Sequence, residues 1–184
     1  MMRDELTGQI AEIPGPIKAF VLREPRRVAA MLKGAGKLLV IVGNEISRYE
    51  SEDFDAVTFI IDLAKPLNAH INVTGPLIKK FREKDYDKIY LMPALETVDR
   101  LRDNTWEGFD GGGRYNMAAF IGFPYYYEWL MLNGLKHFAY KWLRTISLDP
   151  FYHPNATFTL PSMDLDKWRE FMKEVLDIIK GVKK

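Results

Sequence analysis

Cysteine is absent from all 184 residues. That excludes disulfides, a cysteine nucleophile and any iron–sulfur cluster ligated by this chain's own thiolates. Redox metal chemistry that needs thiolate ligands would have to sit on another chain. An excess of one charge is missing too. The 26 basic residues nearly cancel the 25 acidic ones, for a net charge of +1, so no strong field draws the chain to nucleic acid or to an anionic membrane. No uncharged span approaches the roughly 18 residues of a membrane helix. The opening MMRDELTGQIAEIPGP interleaves charges with apolar residues and lacks a signal-peptide core. A cytoplasmic protein is the simplest expectation, and a cysteine-free chain fits a reducing compartment. Histidine is scarce: His70, His137 and His153 match no metal-ligand or metalloprotease spacing. The reading therefore expects no metal site and gives these histidines structural or interfacial roles. No GxSxG elbow singles out a nucleophile.

What is present is ordinary for a globular chain: 47% hydrophobic and 28% charged residues, enough apolar surface for one substantial core. Residues 1–22 read as an N-terminal extension wrapped on the domain or a neighbour, and residues 23–184 as a single core. EPRRVAAMLKGAGK starts a helix with Pro25 at a first-turn position and ends it at Gly34 and Gly36. KLLVIVG is a continuous apolar run of strand length, the pattern of a strand covered on both faces. The unit then repeats. Ser51 can cap a helix through EDFDAVTFIIDLAK, and AHINVTG reads as a strand. PLIKKFREK leads to KIYLM, and ALETVDRLRD leads through a glycine-rich loop to MAAFIG. After a helix from Tyr125 come LRTISLD, an irregular stretch PFYHPNATFTLPSM, and a final amphipathic helix carrying Trp168, Phe171, Val175, Leu176 and Ile179 on one stripe. Strands alternating with helices predict an α/β fold, a doubly wound parallel sheet with helices on both faces.

In such sheets ligands bind outside the carboxyl ends of the strands. Here those ends carry Gly43, Asn44, Thr74, Gly75, Gly122, Phe123 and Asp149. Glycine allows close backbone approach, and a carboxylate such as Asp149 can accept ribose hydroxyls. These residues form a candidate cofactor-binding set. The alternative reading is that the glycines end strands and Asp149 begins a turn before Pro150. GFDGGGRY is not a phosphate loop: it precedes a strand and lacks the GxGxxG and GxxxxGK spacings, so a flexible loop is expected. Tyr125, Tyr126 and Tyr127 lie about 100° apart around a helix and cannot all face one core. At least one should point outward or over the strand ends, toward a partner surface or a planar ligand.

Two stretches, FIGFPYYYEWLMLNGLKHFA and RTISLDPFYHPNATFTLP, carry a specific combination. A glycine precedes a tyrosine run at a strand-to-helix junction, GLKHF follows, and Asp149, Tyr152, His153, Pro154, Asn155 and Ala156 form a D-x-x-Y-H-P-N-A signature. Together they resemble the epsilon subunit of the archaeal acetyl-CoA decarbonylase/synthase complex. The similarity extends back through LLVIVGNEI, VTG and the W-x-G-x-D-G-x-G loop from Trp106 to Gly113. It departs at FTLPSMD, where a Ser-Phe-Pro-Asn-like stretch is replaced, and in the N-terminal extension. A weaker similarity, to the central domain of thiamine-diphosphate enzymes, concerns fold alone. Both imply a three-layer, Rossmann-like sheet of about six strands, of the NAD- or FAD-binding type.

The family resemblance implies association with a large alpha subunit as an alpha2-epsilon2 carbon monoxide dehydrogenase component, with the nickel–iron–sulfur clusters on the alpha subunit. That agrees with a cysteine-free chain. The roles it implies are stabilising the component and assisting electron transfer to FAD, with no active site of the chain's own. On this reading Tyr125, Tyr126, Tyr127, Tyr152, His153 and Asn155 are candidate partner-interface residues. A nucleotide- or flavin-binding electron-transfer module acting through the strand-end crevice is the alternative. Self-association of the isolated chain is left open.

Overall fold

Two apolar runs without a single charge, LLVIV and MAAFI, become neighbouring strands at the centre of a sheet in the computed structural model, which describes residues 19–182. In chain order the elements are β1 (Phe20–Val21), α1 (Pro25–Lys33), β2 (Leu38–Val42), a 3-10 turn (Asn44–Tyr49), α2 (Ala56–Leu67) and β3 (His70–Val73). A second 3-10 turn (Gly75–Leu77) then runs into α3 (Ile78–Arg82), followed by β4 (Ile89–Leu91), α4 (Ala94–Arg102), β5 (Met117–Ile121) and α5 (Tyr125–Phe138). The chain finishes with β6 (Arg144–Ser147), β7 (Phe158–Thr159) and α6 (Leu165–Lys180).

Among the described residues the sheet has seven strands in the order β1-β7-β6-β5-β2-β3-β4, and every pairing is parallel. The expected count of about six therefore becomes seven. The difference lies in β1 and β7, which are two residues each. β7 forms inside the stretch expected to be irregular. β1 forms inside the expected N-terminal extension, whose residues 1–18 lie outside the described residues.

Period-2 alternation divides the core in two. Leu38, Val40 and Val42 of β2, with Met117, Ala119 and Ile121 of β5, pack on the face covered by α1, α2, α3 and α6. Leu39 and Ile41, with Ala118 and Phe120, pack on the face covered by α4 and α5. Both faces being dry, the central strands need no polar alternation. On the first face Trp168 of α6 is fully buried and donates its indole N–H to the Leu148 carbonyl at 2.7 Å.

The helix α2 starts later than Ser51. Asp55 is its N-cap, accepting from the Thr58 N–H at 2.9 Å, while Ser51 is held in a local bridge to Phe54. Asn68 closes α2 in the left-handed conformation, φ 53°, which asparagine tolerates. Among the described residues no helix is long and apolar enough to cross a membrane.

Candidate functional site

The chain runs outward from β2 through β3 to β4, then returns to β5 beside β2 and continues through β6 to β7. The reversal between β2 and β5 is the topological switch point, where a doubly wound sheet has its crevice. Here that crevice is closed by backbone. The Gly43 N–H donates to the Ile121 carbonyl at 2.9 Å and the Glu45 N–H to the Gly122 carbonyl at 2.8 Å, tying the two strand-end loops together. A Cβ at Gly43 would lie 2.2 Å from the Gly122 oxygen, and one at Gly122 2.7 Å from Ile46. Gly122 has φ 78°, a left-handed conformation costly for other residues. These glycines serve close packing of backbone on backbone rather than approach of a phosphate.

The opening lies one strand further out. A groove of about 680 Å³ runs over the carboxyl ends of β2, β3 and β4, lined by Asn44, Thr74, Gly75, Leu91, Pro93 and Tyr127, among others. Of the seven candidate cofactor residues, Asn44, Thr74 and Gly75 meet in this groove. Gly43, Gly122, Phe123 and Asp149 do not: all four are buried beneath the strand ends, a correction to the expected set. Asp149 in particular is not free for a ribose. Its carboxylate accepts from the Gly122 N–H at 2.6 Å and from the Phe123 N–H at 3.3 Å. Its role is to hold the turn into α5.

Beneath that turn lies a cluster that sequence spacing did not announce. Glu128 of α5, Asp149 after β6 and His153 four residues later are all fully buried, with one ligand-type atom from each within 4.8 Å of the others. Burial raises the Glu128 carboxyl well above its ordinary range, and the facing Asp149 charge adds to the effect. Burial also raises Asp149, opposed by its contact with Glu128, then by the Gly122 and Phe123 N–H groups and by Tyr49. The Tyr49 hydroxyl is raised in turn by burial and by Asp149. Burial pushes His153 down to about 4. His153 Nε2 stands 3.6 Å from Glu128 Oε2, but the two groups are driven toward their neutral forms, so proximity here is not an ion pair. Among the described residues the oxygens of Glu128, the ring nitrogens of His153 and Ser147 Oγ complete no hydrogen bond by distance and angle, although Glu128 stands close enough to Asp149 and Ser147 for both to act on its carboxyl.

The tyrosines divide as helical geometry requires. Tyr126 is 81% exposed. Tyr125 is half-buried, stacked on the His153 ring with centroids 4.5 Å apart. Tyr127 leans on Phe123 and faces the groove. Tyr126 and Leu130, four residues apart, share one face of α5, and Tyr125 meets both Tyr126 and Phe151 edge-on. Leu130 and Phe151 are 60% and 45% exposed, so an apolar surface forms around the start of α5. Sequence reasoning missed these two because a lone leucine or phenylalanine carries no surface signal. The expected interface residues Tyr152, His153 and Asn155 need correction: all are buried. The Asn155 amide donates to the Trp129 carbonyl at 3.2 Å and the His153 N–H to Thr159 Oγ1 at 3.0 Å. The YHPNA turn is an internal brace between α5 and β7.

The glycine-rich loop sits at the opposite, amino-terminal edge of the sheet, and it is pinned rather than flexible. Lys37 pairs with Asp110 and donates to the Gly113 carbonyl at 2.8 Å. The Lys37 hydrogen bond, then the Gly112 N–H, hold the Asp110 carboxyl down at about 2. His70 Nδ1 and the Tyr115 hydroxyl are 2.6 Å apart, and Tyr90 stacks on Phe109 at 4.3 Å.

Comparison with known proteins finds matches over most of the chain. A family model described as CO dehydrogenase beta subunit/acetyl-CoA synthase epsilon subunit matches residues 5–176. The chain is 33% identical to the acetyl-CoA decarbonylase/synthase complex subunit epsilon 1 of Archaeoglobus fulgidus, covering 91% of this chain and 89% of that protein. It is 28% identical to the corresponding epsilon subunit of Methanothrix soehngenii, over 97% and 93% of the two chains. For that of Methanothermobacter thermautotrophicus the identity is 29%, over 89% and 90%. A match across nearly the whole chain, with relatives of nearly equal length, is decisive: the chain belongs to the CO dehydrogenase beta subunit/acetyl-CoA synthase epsilon subunit family.

Proposed function

We propose that this chain is an accessory subunit of an acetyl-CoA decarbonylase/synthase complex, docking on the alpha subunit of the carbon monoxide dehydrogenase component and stabilising it. The observation that carries this reading is the family match over residues 5–176, with relatives named as epsilon subunits of that complex. Composition supports the division of labour, because a chain with no cysteine leaves thiolate-bound clusters to its partner. The surface of Tyr126, Leu130 and Phe151 supplies exposed aromatic and aliphatic anchors of the sort protein interfaces favour. An alpha2-epsilon2 stoichiometry and a cytoplasmic location belong to the same proposal. Co-expression with the cysteine-rich alpha subunit should give one stoichiometric peak on size exclusion. Separate elution at micromolar concentration would overturn it.

A second reading, FAD or another nucleotide in the strand-end groove, is favoured by one feature: Tyr127 and the 52%-exposed Leu91 offer apolar surface for a planar ring beside Asn44 and Thr74. Among the described residues the groove's lining carries no basic side chain, so a diphosphate would find no counter-charge from them, and this reading stands second. Flavin fluorescence titrated with the chain, and separately with the assembled complex, decides it. Saturable quenching below about millimolar ligand supports binding, and none in either sample removes it.

A further inference from the structure

Glu128, Asp149 and His153 pose a problem that the hydrogen-bond network does not solve. Buried polar groups are almost always paired, and each exception calls for an occupant such as a water or an ion. Here the exceptions are concentrated. Both His153 ring nitrogens are buried with no partner among the described residues, and the Glu128 oxygens and Ser147 Oγ meet one another and Asp149 without completing hydrogen-bond geometry, while all three residues are fully enclosed. They come from three separate pieces of the fold: Glu128 from α5, Ser147 from the end of β6, and His153 from the turn that follows. Their convergence is therefore tertiary rather than a local acidic run.

We infer that this enclosed pocket is a structural binding site for a divalent first-row transition cation, zinc(II) foremost, with Glu128, Asp149 and His153 as protein ligands. The donor set of one imidazole and two carboxylates suits zinc better than magnesium or calcium, which favour oxygen alone. The spacing is close to what is needed. Ligand bonds of about 2.1 Å in a tetrahedron place ligand atoms about 3.4 Å apart. His153 Nε2 and Glu128 Oε2 are 3.6 Å apart, and no pair among the three ligand atoms exceeds 4.8 Å, so closure by about an ångström completes the sphere. Asp149 is already oriented by the Gly122 and Phe123 N–H groups and by Tyr49, and Tyr125 lies flat against the His153 ring. Such supports fix ligand geometry in metal sites. Ser147 Oγ or a water supplies the fourth donor. A cation here neutralises two buried carboxyls and fastens the start of α5 to the YHPNA turn, a role in stability rather than chemistry. The inference rests on these contacts and stands apart from the partner assignment above.

The test uses the isolated full chain, free of any tag, stripped with a chelator, incubated with zinc sulfate and desalted. Metal analysis should find about one zinc per chain, and the melting temperature should rise by several degrees when free zinc exceeds the dissociation constant about a hundredfold. Magnesium sulfate should produce neither effect. Glu128→Gln keeps the shape and removes a ligand charge, so it should lower zinc retention at least tenfold. His137→Ala, at an exposed histidine, should leave retention unchanged. Should Glu128→Gln not fold, X-ray absorption on the zinc-loaded wild type replaces it, with one imidazole among nitrogen and oxygen neighbours expected. Less than about 0.1 zinc per folded wild-type chain, the result a buried water in the same pocket would give, overturns the inference. So does undiminished zinc in a folded Glu128→Gln variant, or a first shell without imidazole.

Discussion

Replacing Gly43 with alanine tests the closed switch point directly. Gly43 has φ −91° and ψ 163°, which alanine adopts without strain, so any cost must come from crowding. The added methyl would lie 2.2 Å from the Gly122 carbonyl oxygen and 2.6 Å from the Phe123 ring. Relief requires the two strand-end loops to part by about 1 Å, since ordinary non-bonded contacts begin well beyond 3 Å. Parting strains three hydrogen bonds at once: Gly43 to Ile121, Glu45 to Gly122, and Gly122 to Asp149. Overpacking of a dry core costs about 1–3 kcal/mol, and rigid backbone on the receiving side puts this case at about 3 kcal/mol. For a chain of this size each kcal/mol moves the melting temperature by about 2–4 °C, so Gly43→Ala should melt about 6–12 °C below wild type. The control is Gly134→Ala inside α5, where a Cβ meets nothing within 4 Å. There alanine should stabilise by about 0.5–1 kcal/mol through helix propensity. Circular dichroism melts of the three proteins are sufficient. A Gly43→Ala protein melting within about 1 °C of wild type would refute the backbone-closed crevice.

Two further outcomes follow from particular contacts. Asp149→Ala removes the acceptor of the Gly122 and Phe123 N–H groups. Two orphaned buried donors cost about 2–5 kcal/mol, which urea denaturation should show as a lower midpoint with an unchanged slope. Asp110, held at about 2 by Lys37 against about 3.9 in the unfolded chain, contributes stability that is complete above the unfolded value and lost as pH falls through about 2. Its side chain is 40% exposed, so the contribution is about 1 kcal/mol after solvent screening. The gap between wild type and Asp110→Asn should be present at pH 6 and shrink as pH falls toward 2, and a gap constant with pH would contradict the pairing.

The central strands were legible because burial on both faces writes an uninterrupted apolar run, as in LLVIV and MAAFI, and α6 because Trp168, Val175 and Ile179 repeat at helical spacing. β1 and β7 were not, since two residues are too few to show a period and their place comes from pairing with each other and with β6. The cap of α2 fell at Asp55 instead of Ser51 because the turn over Asn44–Tyr49 and the Ser51–Phe54 bridge consume the residues before it.

The strand-end position of the candidate set was readable from glycines. Which of them would face space and which backbone depended on tertiary packing. The hardest residues to read were Glu128, His153 and Asn155. An acidic residue in the first turn of a helix ordinarily faces water and favours the dipole, and a polar, proline-flanked turn ordinarily lies at the surface. Both are buried here because α5 and the turn brace each other. The i, i+4 pairing of Asp149 and His153 was the one local signal that could have linked them.

The central claim, an accessory subunit that docks through the start of α5, is tested most directly by the affinity of the purified chain for the purified alpha subunit. The comparison is between wild type and a Tyr126→Ala, Leu130→Ala double variant of unchanged melting temperature. Loss of two central anchors should weaken binding at least tenfold, about 1.4 kcal/mol or more. Equal affinity of the two proteins would contradict the assigned docking face, and no binding by either would contradict the accessory-subunit account itself.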